Sequence, residues 1–311
     1  MNWIYTIYFF LPNFKRFGFP GKVVNKALEM ITKRILDLVV PSSLKRTQKE
    51  QLSGINTEER EIEYIVSLTS FPGRINEVWT TVETLLRQSF KPDQIILWLS
   101  EVQFPDKSIP NSLLDLKKRG LQIEFVKDDI RSHKKYFYAF ERFPNSAVIT
   151  VDDDVYYPAD TLKYLIEANN RNKESVVANR AHQITFEGEK MQTYRQWRHN
   201  VKSKRKSSHL YVPTGVGGVL YPPYSYHDDI FDDEVFKRIC FMADDLWLKV
   251  ATLRNNTTVT ITPYFNKDLL TVGRSQNIKL VSSNSMGGGN DIQFRDVLEH
   301  FKIDIYSYKD K

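Results

Sequence analysis

From residue 62 the chain alternates short apolar runs with amphipathic stretches, and no other feature restricts its fold as strongly. Residues 62–69, 94–100, 121–127 and 147–151 have the length and the Ile, Leu, Val and aromatic content of buried strands. Residues 76–88, 131–142 and 160–170 carry apolar side chains at helical spacing. Strand and helix in turn predict parallel pairing through crossover helices: an α/β fold with a mostly parallel central sheet and helices on both faces. Ligands of such sheets gather beyond the carboxyl ends of the strands, which locates a site before any motif is read. After about residue 175 the alternation fails. Residues 176–178 and 211–221 read as strands around a basic, polar stretch, 232–240 and 245–253 as helices, and 257–262 as a short strand. The tail from Gly273 is rich in Asn, Ser and Gly.

A length of 311 residues suits one large domain with appendages. With 41% hydrophobic and 26% charged residues and no internal period, a disordered or solenoid chain is excluded. The single cysteine, Cys240, excludes an internal disulfide and a thiolate zinc cluster, and a cytoplasmic chain is expected. The net charge of +6 is concentrated at residues 15–49 and 195–206, which favours phosphates or an anionic leaflet. No nucleic-acid partner is expected.

The opening run MNWIYTIYFFLP is broken by Pro12, short of the roughly 20 residues that span a bilayer. It also lacks the basic start and cleavage site of a signal peptide. Trp3, Tyr5, Tyr8, Phe9, Phe10, Phe14, Phe17 and Phe19, interleaved with Lys15, Arg16 and Lys22, read as a segment lying in a membrane interface; the alternative is that it covers the main domain. Residues 22–40 place Val23, Ala27, Met30, Ile31, Ile35 and Leu38 at helical spacing, an amphipathic helix expected to end at Pro41. Residues 42–60 read as a linker. The expected division is therefore 1–60, a segment in peripheral contact with the inner leaflet, and 61–311, the main α/β domain.

In AVITVDDDVYYP a buried strand delivers Asp152, Asp153 and Asp154. If strand alternation continues, Asp152 and Asp154 share one side and converge on a hard cation, Mn²⁺ or Mg²⁺, completed by substrate phosphates. The bland alternative is an acidic turn capping a helix at Asp160. A haloacid-dehalogenase phosphatase also uses two aspartates after a strand, but it wants Thr or Val where Tyr156 stands.

SLTSFPGRI (67–75), HKKYFYAF (133–140), ITVDDDVYYP (149–158), ANRAHQI (178–184), PTGVGGVLYPP (213–223), ADDLWLK (243–249) and the tail from Gln276 to Asp291 together resemble bacterial GT-A glycosyltransferases of polysaccharide assembly. A more distant likeness is to the exostosin-like glycosyltransferase domain. The resemblance implies a GT-A fold whose first loop, here Thr69, Ser70, Phe71 and Arg74, receives the nucleotide of a nucleotide-diphosphate sugar, expected to be a UDP-sugar. It implies that Asp129 reads the base or ribose, that Lys135 lies near the diphosphate, and that Asp152 and Asp153 contact the donor. Asp152 and Asp154 would hold the metal. Arg180 and His182 would lie near the active site and Gly217 and Gly218 would line the sugar pocket. Arg131 and Ser132 stand where relatives have Gly and Pro.

Asp244 and Asp245 open an apolar helical stretch, where an N-cap is the ordinary explanation for one of them. By resemblance one is the general base that takes the acceptor hydroxyl's proton, with Asp245 favoured because Asp244 is the readier cap. Inversion needs one in-line displacement with that base; retention gives the pair another part. By the same likeness Asn290 and Asp291 close the pattern, Asp291 as a distal metal or phosphate contact. Arg195, Trp197, Arg198, Lys202, Lys204, Arg205 and Lys206 read either as a surface that steers a glycan or lipid-linked glycan acceptor or as a solvated basic loop. Two other readings compete: a nucleotidyltransferase, which wants a glycine-rich phosphate loop that TSFPGR is not, and a catalytically inactive glycan-binding protein, against which the intact acidic pairs argue.

Overall fold

The computed structural model describes residues 17–48, 53–202, 206–263, 269–273 and 288–309, together with Tyr5, Tyr8 and Phe14. Trp3, Phe9, Phe10, Lys15, Arg16, Lys204, Arg205 and tail residues 274–287 lie outside the described residues. A long helix, α1 (Gly18–Arg46), precedes the alternating region. There follow β1 (Tyr64–Thr69), α2 (Val78–Leu86), β2 (Gln94–Ser100), α3 (Asn111–Lys117), β3 (Leu121–Val126), α4 (Lys134–Arg142), β4 (Ala147–Thr150) and α5 (Thr161–Arg171). The second half holds β5 (Val176–Ala178), β6 (Ala181–Gln183), the small pair β7 (Phe186–Glu187) and β8 (Lys190–Met191), β9 (Tyr211–Pro213) and β10 (Val219–Tyr221). It ends with α6 (Asp233–Ile239), α7 (Asp244–Arg254), β11 (Val259–Ile261) and α8 (Gly289–His300).

The central sheet has seven strands in the order β11-β5-β10-β4-β1-β2-β3. All adjacent pairs are parallel except those made by β10, which runs against both β4 and β5. Alternation along each strand feeds two separate cores. Ile65, Ile96, Trp98, Val148, Val219 and Tyr221 pack on one face with side chains of α4, α6, α7 and α8. Val66, Leu68, Ile95, Leu97, Ile149 and Leu220 pack on the other with α1, α2, α3 and α5. The predicted α/β architecture with helices on both faces is the one observed.

Four readings differ. Pro41 does not end the first helix, which runs on to Arg46. A helix-interior proline costs about 3 kcal/mol, but Leu36, Val40 and Leu44, one turn apart, are buried against the core at roughly 1.5–3 kcal/mol each. Arg87 then donates to the Leu44 carbonyl at 3.0 Å and to Thr47 Oγ1 at 2.8 Å, holding the helix end. Residues 211–221 are not one strand: β9 pairs with β6, a 3-10 turn at Gly215–Gly217 follows, and Gly218, at φ +81°, admits β10 to the main sheet. Helix α3 has too weak an apolar period to be read from the sequence, since it shows only Leu113 and Leu116 to the core. Helix α8 is masked in the sequence by the Gly-rich run from which it emerges, though Phe294, Val297 and Leu298 bury one face. At the N-terminus Tyr5 and Tyr8 are buried, and the Tyr5 hydroxyl donates to the Tyr156 carbonyl and accepts the Leu270 N–H at 3.3 Å. These two side chains cover the domain, whereas Phe17 and Phe19 are exposed.

Candidate functional site

Strand β4 stops at Thr150, and the Asp152 N–H then donates to the Tyr157 hydroxyl at 2.9 Å. The three aspartates therefore sit on a turn, where strand alternation no longer applies. Asp153 and Asp154 share the Arg74 guanidinium, at 2.6 Å and 3.2 Å, while Asp152 turns away to Lys135 at 3.0 Å. The expected pairing of Asp152 with Asp154 on one side is thus replaced by a split between two cations.

The β1 loop meets this turn directly. Ser70 donates its hydroxyl to Asp153 at 2.6 Å, and Arg74 lies 5.6 Å from the Phe71 ring centre. Thr69 spends its hydroxyl on the Trp98 carbonyl at 2.8 Å, fixing the strand end. Burial pushes the Asp153 carboxyl up despite Arg74 and Ser70.

Lys135, in the first turn of α4, is the hub. Its ammonium lies 3.0 Å from Asp152 and 2.8 Å from Asp244. Burial alone would lower it, but Asp152, Asp244 and Asp245 outweigh burial and hold it well above its ordinary value. Asp244 and Asp245 open α7, yet the N-cap is Ala243 and neither acid caps by its side chain. Capping therefore does not distinguish the two acids, whereas their charge states do. Burial raises Asp244, and Lys135 overrides it to a value below the ordinary carboxylate range. Asp245 keeps some solvent exposure and accepts the Gly215 N–H at 3.2 Å. Its carboxyl is enclosed enough that burial, then Asp244 and Asp152, push it up to about 7.

Antiparallel pairing sets Val219 of β10 opposite Thr150 of β4, which brings the glycine turn over the acidic turn. At Gly215 an added Cβ would fall 2.6 Å from Asp152 Oδ1 and 2.7 Å from Lys135 Nζ, so any side chain there would displace that pair. Gly217 packs instead on Arg180, whose backbone nitrogen would be 2.9 Å from an added Cβ, and Gly218 serves the left-handed bend.

The other sequence-predicted residues lie around this cluster or apart from it. Arg180 donates to Thr214 Oγ1 at 2.9 Å. His182 accepts the Asn200 N–H at 3.2 Å and packs 4.3 Å from the His199 ring; burial, then Arg180 and His199, lower it to about 3, so it is a neutral ring. Asp129 is engaged locally: it pairs with Lys134, accepts Gln103 at 2.8 Å, and accepts the N–H of Arg131, which adopts φ +51°. Asp291 accepts the Tyr194 N–H at 2.6 Å and so ties α8 to the loop after β8. Trp197 is buried on Phe294, whereas Arg195, Arg198, Lys202 and Lys206 are exposed.

Sequence reasoning passed over four supports. Gly215 was visible only as one member of a glycine run. Tyr157 holds the acidic turn. His133 stacks on Phe236 at 4.2 Å and is lowered to about 4 by burial. Tyr194 carries no periodic signal, yet burial and then Asp245 raise its phenol to about 12. Among the described residues no group of three or more His, Cys, Asp or Glu side chains is arranged to hold a metal ion.

No protein-family model and no curated protein sequence matches the chain. Among solved structures it is similar to S. aureus TarS residues 1–349, at 12% identity over 67% of this chain and 59% of that one, TM-score 0.41. The same TarS region in complex with UDP gives 14% identity, the same shares and a TM-score of 0.41. The mannosyltransferase PcManGT from Pyrobaculum calidifontis, in complex with GDP-Man and Mn²⁺, is 10% identical over 76% of this chain and 64% of that one, again at 0.41. The chain thus spans less than two thirds of each of these structures, and superpositions this loose carry no argument about chemistry.

Proposed function

We propose that the chain is a GT-A glycosyltransferase that moves a sugar from a nucleotide-diphosphate donor, a UDP-sugar, to a hydroxyl of a surface polysaccharide or lipid-linked glycan. One observation carries the reading: Lys135 holds Asp152 and Asp244 at 3.0 and 2.8 Å, so carboxylates of two distant motifs meet at one point beyond the parallel strands. A donor received by the β1 loop and an acceptor facing α7 would meet there.

Charge decides whether a divalent cation fits. Asp152, Asp153, Asp154, Asp244 and Asp245 stand against Lys135 and Arg74, an excess of three negative charges, or two while Asp245 holds a proton. An anionic diphosphate enters such a pocket only with added positive charge, so the donor set fits Mn²⁺ or Mg²⁺. Asp152, the most open of the acidic turn, would hold it while Arg74 keeps Asp154, and a single carboxylate suffices where phosphate oxygens and water complete the set. When bound, the cation supplies neutralisation of the departing diphosphate.

The chain's own residues do the rest. Arg74 keeps the acidic turn against the β1 loop, and Lys135 keeps Asp244 ionised and fixed. The Asp244 charge in turn keeps Asp245 basic enough to take a proton near neutrality. As the acceptor oxygen bonds to the anomeric carbon, the bond to the diphosphate breaks, the electron pair leaves with the diphosphate, and Asp245 receives the hydroxyl proton.

Thermal unfolding with nucleoside diphosphates, with and without Mn²⁺, tests this. One nucleotide is expected to stabilise the protein only with metal, by about 2.7 kcal/mol at a hundredfold excess over Kd. Asp152→Ala is expected to abolish the metal-dependent part, and Asp245→Asn to keep binding while turnover falls roughly 10²–10⁴-fold. If no nucleoside diphosphate stabilises the chain with any divalent ion, the reading is wrong.

A further inference from the structure

The inner stripe of α1, Leu36, Val40 and Leu44, is buried against the core, but its opposite face is apolar and bare. Phe19, Val23, Met30, Ile31, Ile35 and Leu38 fall within an arc of about 160° on the helix circumference, and each is more than half exposed, Phe19 at 79% and Leu38 at 66%. An interior-facing helix would bury this arc, and an ordinary surface helix would make it polar. Contiguous exposed apolar surface of this kind marks a binding face.

The charge on the same helix selects the occupant. Lys22, Lys26, Lys33, Arg34, Lys45 and Arg46 face only Glu29 and Asp37, and Asp37 is turned inward to accept the Gly273 N–H at 2.8 Å. On the same wheel Lys26 and Lys33 border one edge of the arc, Arg46 borders the other, and Arg34 and Lys45 project from within it. Basic side chains so placed suit the boundary between acyl chains and anionic headgroups, where lysine and arginine stems lie along the apolar surface and their charges reach the phosphates. Among the described residues no helix is long and apolar enough to cross a membrane. We propose that the outer face of α1 lies on an anionic lipid surface and fixes the orientation of the catalytic domain relative to it.

The link to the site is short. Gly273, held by Asp37, follows Val272, whose N–H donates to the Asp154 carbonyl at 2.7 Å. Arg87 joins the far end of α1 to Glu83 of α2, itself continuous with the β1 loop. A surface that seats α1 therefore sets the attitude of the acidic turn. None of this depends on the sugar-transfer reading.

Co-sedimentation of the full chain with phosphatidylcholine vesicles, with and without phosphatidylserine, tests the proposal. Binding is expected with phosphatidylserine, weakened by salt as screening shortens. The double variant Ile31→Glu/Leu38→Glu, altered only at exposed positions, is expected to lose at least about tenfold in partitioning with an unchanged unfolding temperature. Lys33→Ala/Arg34→Ala is expected to lose salt-sensitive binding while keeping its fold. Equal binding of the wild type and the glutamate variant overturns the proposal. So does a concentration-dependent dimer that the glutamate variant disperses and that ignores vesicles, because the face then belongs to a second copy.

Discussion

Two residues on α7 titrate abnormally in opposite directions, both chiefly because burial disfavours their charged forms. Asp245 is pushed up to about 7 by burial, Asp244 and Asp152, so as a base it is protonated and idle below that value. With Asp245 taking the proton, kcat/KM is expected to rise with pH and level off above about 7, and a pH–rate profile checks it; a profile flat from pH 5 to 9 removes Asp245 from the role. Lys249, one turn further on, is buried with no hydrogen-bond partner among the described residues, and burial lowers it to about 7. The unfolded chain still binds that proton up to its ordinary value near 10.5. The penalty is therefore complete below pH 7 and relieved as pH rises through that interval. Lys249→Met is expected to raise stability at pH 6–7 by on the order of a few kcal/mol and to flatten the wild-type gain between pH 7 and 9, both measurable by thermal unfolding. Nothing in the sequence places Lys249 in apolar company, because ADDLWLK reads only as an apolar helical stretch opened by two acids.

At the level of elements, the Gly215–Gly217 turn separates two uses of glycine. Gly215→Ala drives a methyl group into the Asp152–Lys135 pair. It is expected to lower kcat/KM by about 10²-fold or more with little change in unfolding temperature, since small displacements of a reacting constellation are costly. Gly217→Ala meets the Arg180 backbone instead and is expected to cost about 1–3 kcal/mol of stability. Equal effects of the two on stability and turnover would remove Gly215 from the site. The run GVGG announces close backbone approach without saying to what. Similarly, the periodicity of residues 22–40 disclosed an amphipathic helix, but Val23, Met30, Ile31 and Leu38 turned out to face away from the domain while Leu36, Val40 and Leu44 face in. A helix with apolar residues on both sides does not state which side the domain takes.

For the whole molecule, local patterns determined what local physics controls. The short apolar runs of residues 62–69, 94–100 and 147–151 already implied buried strands, helices between them implied parallel pairing, and the strand before Asp152 put the acids at the carboxyl edge. Tertiary structure alone decided the partners: Lys135 between Asp152 and Asp244, Arg74 between Asp153 and Asp154, and β10 reversed so that Gly215 covers the cluster. Side-chain spacing encodes which face of an element is apolar because that depends on neighbours three or four residues away. Which charge meets which depends on the approach of segments a hundred residues apart, and on burial that exists only after the sheet has closed around them.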